Sequence, residues 1–442
     1  MWEPENLPEL STKLTCSFTQ SEGTETQLVG VPFRDLESDR SVIWRTVAYA
    51  GLHDLIYAPS DSLEISNRFS MTATENERFT DPGFGEADFD GLQLTNETTL
   101  NWQVTDHGLS GLAGVYYEND RSDETSDFSN FGLGLGDFED TQTSLGVFGE
   151  ATYRVTDRLD VTAGLRYQRD KQDRDGNLGA FAVDFNETFD ALLPKFAIGY
   201  DVTDDLRIGA LAVRGFNPGG TTISFLDGSQ DLFEDETVWN FEAFGRARLL
   251  DDRLAVNANA FYAIYNDFQL FTVVDFTPGG IAVVEASNAD EAVSFGLELS
   301  TDFQATEDLR VFGGLGLQNT EITDFSDSAD PNIEGNEFAR APHVTLSAGA
   351  DYEVIDNLTL GGRLRYVGRY FSDVDNTRQF EAGDYVVADF QLSYAYENFE
   401  AYAFVNNAFD EFYLIEERDT NAGRAAIAGA PREYGVGLRV SF

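Results

Sequence analysis

The chain has 442 residues, 42% of them hydrophobic and 13% aromatic, which excludes a disordered polar polypeptide. Its formal net charge is −49, from 78 acidic against 29 basic side chains, so no surplus of Lys or Arg exists to neutralise phosphates, and a general nucleic-acid binder is excluded. A single cysteine, Cys16, rules out an intrachain disulfide.

The opening Met1-Trp2-Glu3-Pro4-Glu5 has neither the basic start nor the apolar core of a secretory signal. No run of about 18 apolar residues marks a transmembrane helix. From Leu10 to Phe18 the apolar residues Leu10, Leu14, Cys16 and Phe18 share one side of an extended segment. Cys16 therefore reads as a small apolar residue, buried or lipid-facing, rather than a reactive thiol.

Period two dominates the rest of the chain. In Val147–Val155 one face carries Val147, Gly149, Ala151, Tyr153 and Val155, the other Glu150, Thr152 and Arg154. After the turn Thr156-Asp157-Arg158, the return strand sets Leu159, Val161, Ala163, Leu165 and Tyr167 against Asp160, Thr162, Arg166 and Gln168. This is a hairpin with one apolar and one charged face. Comparable turns recur at Thr203-Asp204-Asp205, Asp251-Asp252-Arg253, Thr306-Glu307-Asp308, Asp356-Asn357 and Glu397-Asn398. Between them lie polar segments, rich in Asp, Gly, Ser and Asn: 121–142, 173–190, 217–236, 323–342, 372–383 and 410–432. They read as long irregular loops. Short and long connections thus alternate, as in an outer-membrane barrel with short periplasmic turns and long extracellular loops. The turns at Glu397, Asp356, Glu307, Asp251, Asp204, Asp157, Asp106, Pro59 and Glu22 are expected on one side. The count comes to about nineteen strands, an odd number where such barrels have even ones, which suggests a missing amino-terminal part. The last strand, Glu433 to Phe442, alternates Tyr434, Val436, Leu438, Val440 and Phe442 with Gly435, Gly437, Arg439 and Ser441.

Little in the chain has the spacing of a catalytic or metal site. His53, His107 and His343 are scattered, and no zinc ligand spacing is present. Asp330, Asn332, Glu334 and Gly335 imitate the start of a calcium loop, but Ala341 stands where its closing Glu belongs. The acidic run Asp137-Phe138-Glu139-Asp140 is a candidate weak cation holder. Gly132-Leu133-Gly134-Leu135-Gly136 has no helix after it to hold a phosphate and reads as a flexible loop. Polar-face carboxylates such as Glu150 and Glu298 are expected to pair with Arg154, Arg246 or Arg363.

Several stretches, taken in order, resemble the barrel part of TonB-dependent outer-membrane receptors. They are Arg214-Gly215-Phe216-Asn217-Pro218-Gly219-Gly220 at a strand-to-loop junction, the hairpin from Glu236 through Asp251-Asp252-Arg253 to Tyr262, and Asn288 to Leu299. Ala341-Pro342-His343, Asn406-Asn407-Ala408-Phe409-Asp410 and the terminal strand complete the set. The resemblance implies an all-β, antiparallel transmembrane barrel over residues 1–442, with about nineteen strands of a family barrel of about 22 and no plug domain. It implies no enzyme activity and no cofactor. The expected function is an outer-membrane receptor or transporter for a scarce nutrient such as a ferric siderophore. Its partners would be membrane lipid, the barrel-assembly machinery, the nutrient ligand, and the TonB complex if a plug is supplied. Arg214, Gly215, Phe216, Pro218, Gly219 and Gly220 are the strand-loop motif; Tyr434, Val436, Leu438, Val440 and Phe442 resemble the signal that the assembly machinery reads. The alternatives are a passive porin-like channel and a soluble acidic β-protein, either a binding module or a glycan-active enzyme.

Overall fold

The protein is described by a computed structural model covering residues 7–24, 29–30, 42–104, 107–223, 230–276, 282–326, 333–420 and 423–441. Eighteen strands form one antiparallel sheet, the wall. The first are β1 (Leu10–Thr24), β2 (Ile43–Ser60), β3 (Leu63–Phe79), β4 (Glu86–Val104) and β5 (Leu109–Phe128). Then come β6 (Gly134–Thr156), β7 (Leu159–Leu178), β8 (Phe181–Thr203), β9 (Leu206–Asn217) and β10 (Glu236–Leu249). The rest are β11 (Leu254–Phe276), β12 (Ala282–Gln304), β13 (Leu309–Asp324), β14 (Val344–Ile355), β15 (Leu358–Val367), β16 (Tyr385–Tyr396), β17 (Phe399–Asn406) and β18 (Glu433–Val440). Each pairs with its sequence neighbour, from β1 with β2 through to β17 with β18. Among the described residues β1 and β18 share no register, so each leaves one edge unpaired.

The turns at one end are short because their residues close them locally. The hydroxyl of Thr156 accepts the N–H of Arg158 at 3.2 Å, Thr203 that of Asp205 at 3.2 Å and Thr306 that of Asp308 at 3.3 Å. Such side-chain closures stabilise a tight turn without a longer loop. Asn357 and Glu397 take the left-handed conformation, with φ 67° and 51°.

Each strand has one apolar and one polar face, as the period-two pattern requires. Leu165, Phe196, Ile198 and Leu297 stand out from the wall, 46–57% exposed. Tyr153, Tyr200, Tyr352, Tyr396 and Phe399 ring that face near the short turns. A continuous exposed apolar band bordered by aromatics is what hydrocarbon requires of a barrel exterior. No helix of the described residues is long and apolar enough to cross a membrane.

At the other end the wall rises past that band. Phe138 and Leu178 form a cluster with Leu133, Val183 and Phe185; Leu270, Ala289, Ile322, Phe325, Ile333 and Val374 form another. These small cores are built from the tops of neighbouring strands and their connections.

The eighteen wall strands among the described residues agree with the sequence count of about nineteen. Two expectations change. Glu22 is no turn: it lies within β1, opposite Arg45 at the far end from the short turns, because the polar stretch to Thr24 continues to pair. Residues 121–142 and 173–190 are largely strand, with Ser122 opposite Asp140 and Asp173 opposite Asn186. Polar composition there marks strands standing in water, not irregular loops. Leu135 and Gly136 likewise belong to β6, and Gly132 and Gly134 supply the turn with φ 84° and 92°.

Candidate functional site

The polar face carries paired charges. Glu150 of β6 reaches across β7 to Lys195 of β8 at 2.7 Å, and Asp160 of β7 reaches across β8 to Arg207 of β9 at 2.8 Å. Gly164 stands between the first pair in register, so no side chain blocks it. Gly199, opposite Asp160, leaves the space that the Arg207 guanidinium fills. Sequence pattern pairs Glu150 with an arginine; Lys195 takes it instead. Arg154 lies 3.5 Å from Asp160, Arg363 lies 3.9 Å from Asp351, and Arg246 sits over the Phe244 ring at 5.2 Å. Opposite charges lining one face hold strands in register while keeping that face hydrated.

The strand-loop motif closes the top of β9. Beyond Asn217 the chain makes a small hairpin, Gly220–Ile223 against Gln230–Phe233. A bracket from β11 and β12 holds its base. The Gln269 amide donates to the carbonyls of Pro218 at 2.9 Å and Glu234 at 3.0 Å, and accepts from the Asn217 amide at 2.7 Å. Asn288 donates to Glu234 O at 3.0 Å and Asp267 O at 2.7 Å, and its oxygen accepts the Glu234 N–H at 2.7 Å. The Glu236 carboxylate accepts the Gln269 N–H at 2.9 Å. Gly219 and Gly220 are buried. A Cβ on Gly219 would lie 2.8 Å from the Phe189 ring and one on Gly220 2.6 Å from the Phe233 ring. Gly215 is on β9 opposite Val238, Phe216 opposite Thr237, and Arg214 opposite Trp239 on the apolar face. The motif residues thus come together as one structural unit, but they point to both faces of the wall.

Between this hairpin and the polar face of β5 to β8 lies a cavity of about 650 Å³. Its lining includes Asp120, Asp140, Gln172, Arg174, Thr221 and Gln269, with Phe185, Phe233 and Phe271 as its aromatic parts. Phe233 and Phe271 meet edge to face at 5.6 Å. Arg174 is held by Glu124 at 3.5 Å and Asp140 at 3.4 Å and lies 4.8 Å over the Phe138 ring. These groups stand above Leu145, where the apolar run on the outer face of β6 gives way to polar residues. Burial raises the carboxyl groups of Glu124 and Asp140 above the usual range, and Arg174 only partly opposes it. The acidic run 137–140 therefore contributes Asp140 to this cavity and buries Phe138 beneath it.

Sequence reasoning did not find Gln269 or Arg174, and it placed Asn288 in a family-like strand without its role in the bracket. The signal for Gln269 is present: one amide between Phe268 and Leu270-Phe271 in an otherwise apolar run. Arg174 is hidden in a segment of loop-like composition. Of the histidines, His53 meets the Thr12 hydroxyl at 2.7 Å and His343 the Glu337 carboxylate at 3.0 Å. No group of three or more metal-ligating side chains occurs among the described residues. Met1 to Glu5, Asp106, Asp330, Asn332 and Phe442 lie outside them.

Asn407, from the Asn406–Asp410 stretch, is 3% exposed with φ 47°. Its amide donates to the carbonyls of Glu411 at 2.9 Å and Ala430 at 3.0 Å. It ties the long excursion between β17 and β18 back to the wall.

A family model described as TonB dependent receptor-like, beta-barrel matches residues 20–408. The chain belongs to the TonB-dependent receptor β-barrel family. It is 25% identical over 313 residues to the pesticin receptor of Yersinia pestis, covering 68% of this chain and 44% of that protein. It is 28% identical over 289 residues to the metal-pseudopaline receptor CntO of Pseudomonas aeruginosa, covering 63% of this chain and 38% of that one. The chain thus spans less than half the length of these curated relatives. Among solved structures, the ferric yersiniabactin uptake receptor FyuA of Yersinia pestis superposes with a TM-score of 0.84 at 20% identity, covering 98% of this chain and 68% of that one. As a TonB-dependent receptor barrel, the protein is an outer-membrane β-barrel of Gram-negative bacteria and its relatives are receptors, not enzymes. The reading as a soluble acidic β-protein is thereby set aside.

Proposed function

We propose that this barrel serves an outer-membrane receptor that takes up a metal chelate of the siderophore type, energised through TonB when a plug occupies the lumen. The observation that carries this reading is the cavity above the membrane band, walled by β5 to β8 and capped by the bracketed hairpin. Relatives named as receptors for a metal-pseudopaline complex and for ferric yersiniabactin support the cargo class. In this reading Arg214, Gly215, Phe216, Pro218, Gly219 and Gly220 hold the hairpin over the cavity, and membrane lipid covers the apolar band. The assembly machinery reads the terminal strand.

Uptake of a radiolabelled metal chelate by cells making the receptor, with and without TonB, tests the proposal. Energy-dependent accumulation that disappears without TonB is expected. Accumulation that is unchanged without TonB, together with a large steady single-channel current, would favour the passive channel instead.

A further inference from the structure

The cavity beside the hairpin has a charge balance that restricts what can enter it. Three carboxylates line it or its edge: Asp120 and Glu124 on β5 and Asp140 on β6. One guanidinium stands against them, Arg174 on β7. In register Asp120 is opposite Gln142, Ser122 opposite Asp140, and Asp140 opposite Arg174, so these groups occupy adjacent rungs of one face. Arg174 is already committed: Glu124 and Asp140 hold its two terminal nitrogens and Phe138 stacks on its plane. Asp173, next to Arg174 on β7, turns its carboxylate to the opposite face, where it meets the Asn186 amide and Lys171, at 3.7 Å. Asp120 meets the Gln93 amide, at 3.5 Å. The other polar side chains of the lining are amides and hydroxyls, such as Gln142, Gln172, Asn217 and Gln269.

An anionic cargo would face this set without a free cation among the described lining residues to meet it. Close, partly desolvated like charges cost several-fold more than they would in open water. A cation or neutral polyhydroxylated surface would instead find carboxylates, amides and hydroxyls to hydrogen-bond, and aromatic faces in Phe185, Phe233 and Phe271 to lie against. The chain's −49 net charge extends the same bias to the approach.

Resting on the receptor reading above, we infer that the cavity selects metal chelates without net negative charge and prefers cationic ones.

The test uses one ferric trihydroxamate scaffold in three forms: with a free pendant ammonium, acetylated to neutrality, and succinylated to an anion. Equilibrium binding to the purified barrel is measured by fluorescence, alongside the inert complexes hexaamminecobalt(III) and hexacyanocobaltate(III). The expected order is ammonium, then neutral, then succinylated, with at least about tenfold between the extremes. Asp120→Asn with Asp140→Asn should shrink that ratio, and Arg174→Gln should widen it. Equal or tighter binding of the succinylated form would overturn the inference. If no trihydroxamate binds, a preference for hexaamminecobalt(III) that Asp120→Asn with Asp140→Asn abolishes keeps the charge rule and counts against the receptor reading. Absence of that preference overturns the charge rule itself.

Discussion

Gly220 is paired with Phe233 on the hairpin's return strand, and any side chain there meets the Phe233 ring. Phe233 in turn packs edge to face on Phe271 of β11. A Gly220→Val substitution must push Phe233 off that contact or lift the hairpin from its Gln269 bracket. Overpacking of this kind costs about 1–3 kcal/mol. We expect about tenfold weaker chelate binding with unchanged barrel levels in the membrane, read from a binding isotherm and a heat-modifiability gel. Asp140 gives a second test. It lies on β6, between β5 and β7, and Arg174 of β7 reaches both it and Glu124 of β5. Its folded-state pKa is raised, so on acidification the folded chain takes up a proton before an unfolded carboxylate would. The stability contribution therefore grows as pH falls through that window, while the cavity loses negative charge. Affinity for the ammonium-bearing chelate should fall on acidification, and the fall should begin above the pH at which an ordinary aspartate titrates. Arg174→Gln removes the group that opposes the shift and should move the fall to higher pH. A profile that stays flat until ordinary carboxylates titrate would count against the raised pKa of Asp140.

The terminal strand shows how far an element can be read before its neighbours are known. Its alternation is plain in sequence, with Tyr434, Val436 and Leu438 on one face and Gly435, Gly437 and Arg439 on the other. Why glycine occupies the polar face is not, because the reason lies on β17. Phe404 is opposite Gly435 and Tyr402 opposite Gly437, and each ring lies across its glycine. Aromatic rings laid over strand glycines restore packing that a bare backbone lacks. Arg439 closes the row, 2.7 Å from Glu400 and over the Tyr402 ring. Gly437→Val should displace Tyr402 and loosen β18, lowering the unfolding midpoint by an amount set by about 1–3 kcal/mol of overpacking. Deleting Phe442 makes a separate prediction, since its proposed role is in assembly: fewer inserted barrels per cell, with unchanged affinity per barrel. Other elements are legible to different depths. Membrane-crossing parts of the strands show themselves by period two. Their watery extensions do not, because a strand with polar residues on both faces has no apolar stripe to betray it. Ser122 to Phe128 and Asp173 to Leu178 are such extensions, and Arg174 is lost from view with them.

At the scale of the whole molecule the eighteen strands form an even wall whose two ends have opposite directions. Those ends show in exposure. Tyr434, Val436 and Leu438 of β18 are 82%, 85% and 66% exposed, and Leu14 and Phe18 of β1 71% and 59%, whereas Leu360 in the middle of the wall is 44%. Among the described residues each edge strand lacks a flanking neighbour to cover one side of its apolar residues, and carries a row of unpaired backbone groups. In hydrocarbon such a row cannot be left open, because no water is present to satisfy it. Cys16 lies on the apolar face of β1 and turns this geometry into a measurement. It is exposed, and it sits in one row with Gly51, Met71 and Leu94 across the first four strands. That row lies within the outward apolar band, so in a bilayer Cys16 meets lipid rather than water. A thiol reacts as its thiolate, which hydrocarbon disfavours. A charged, water-soluble maleimide should therefore label Cys16 slowly in native outer membranes and rapidly after denaturation. An apolar maleimide that partitions into lipid should gain access first. Rapid labelling of the membrane-embedded protein by the charged reagent would show that β1 faces water, and the apolar band would then have to be redrawn without its first strand.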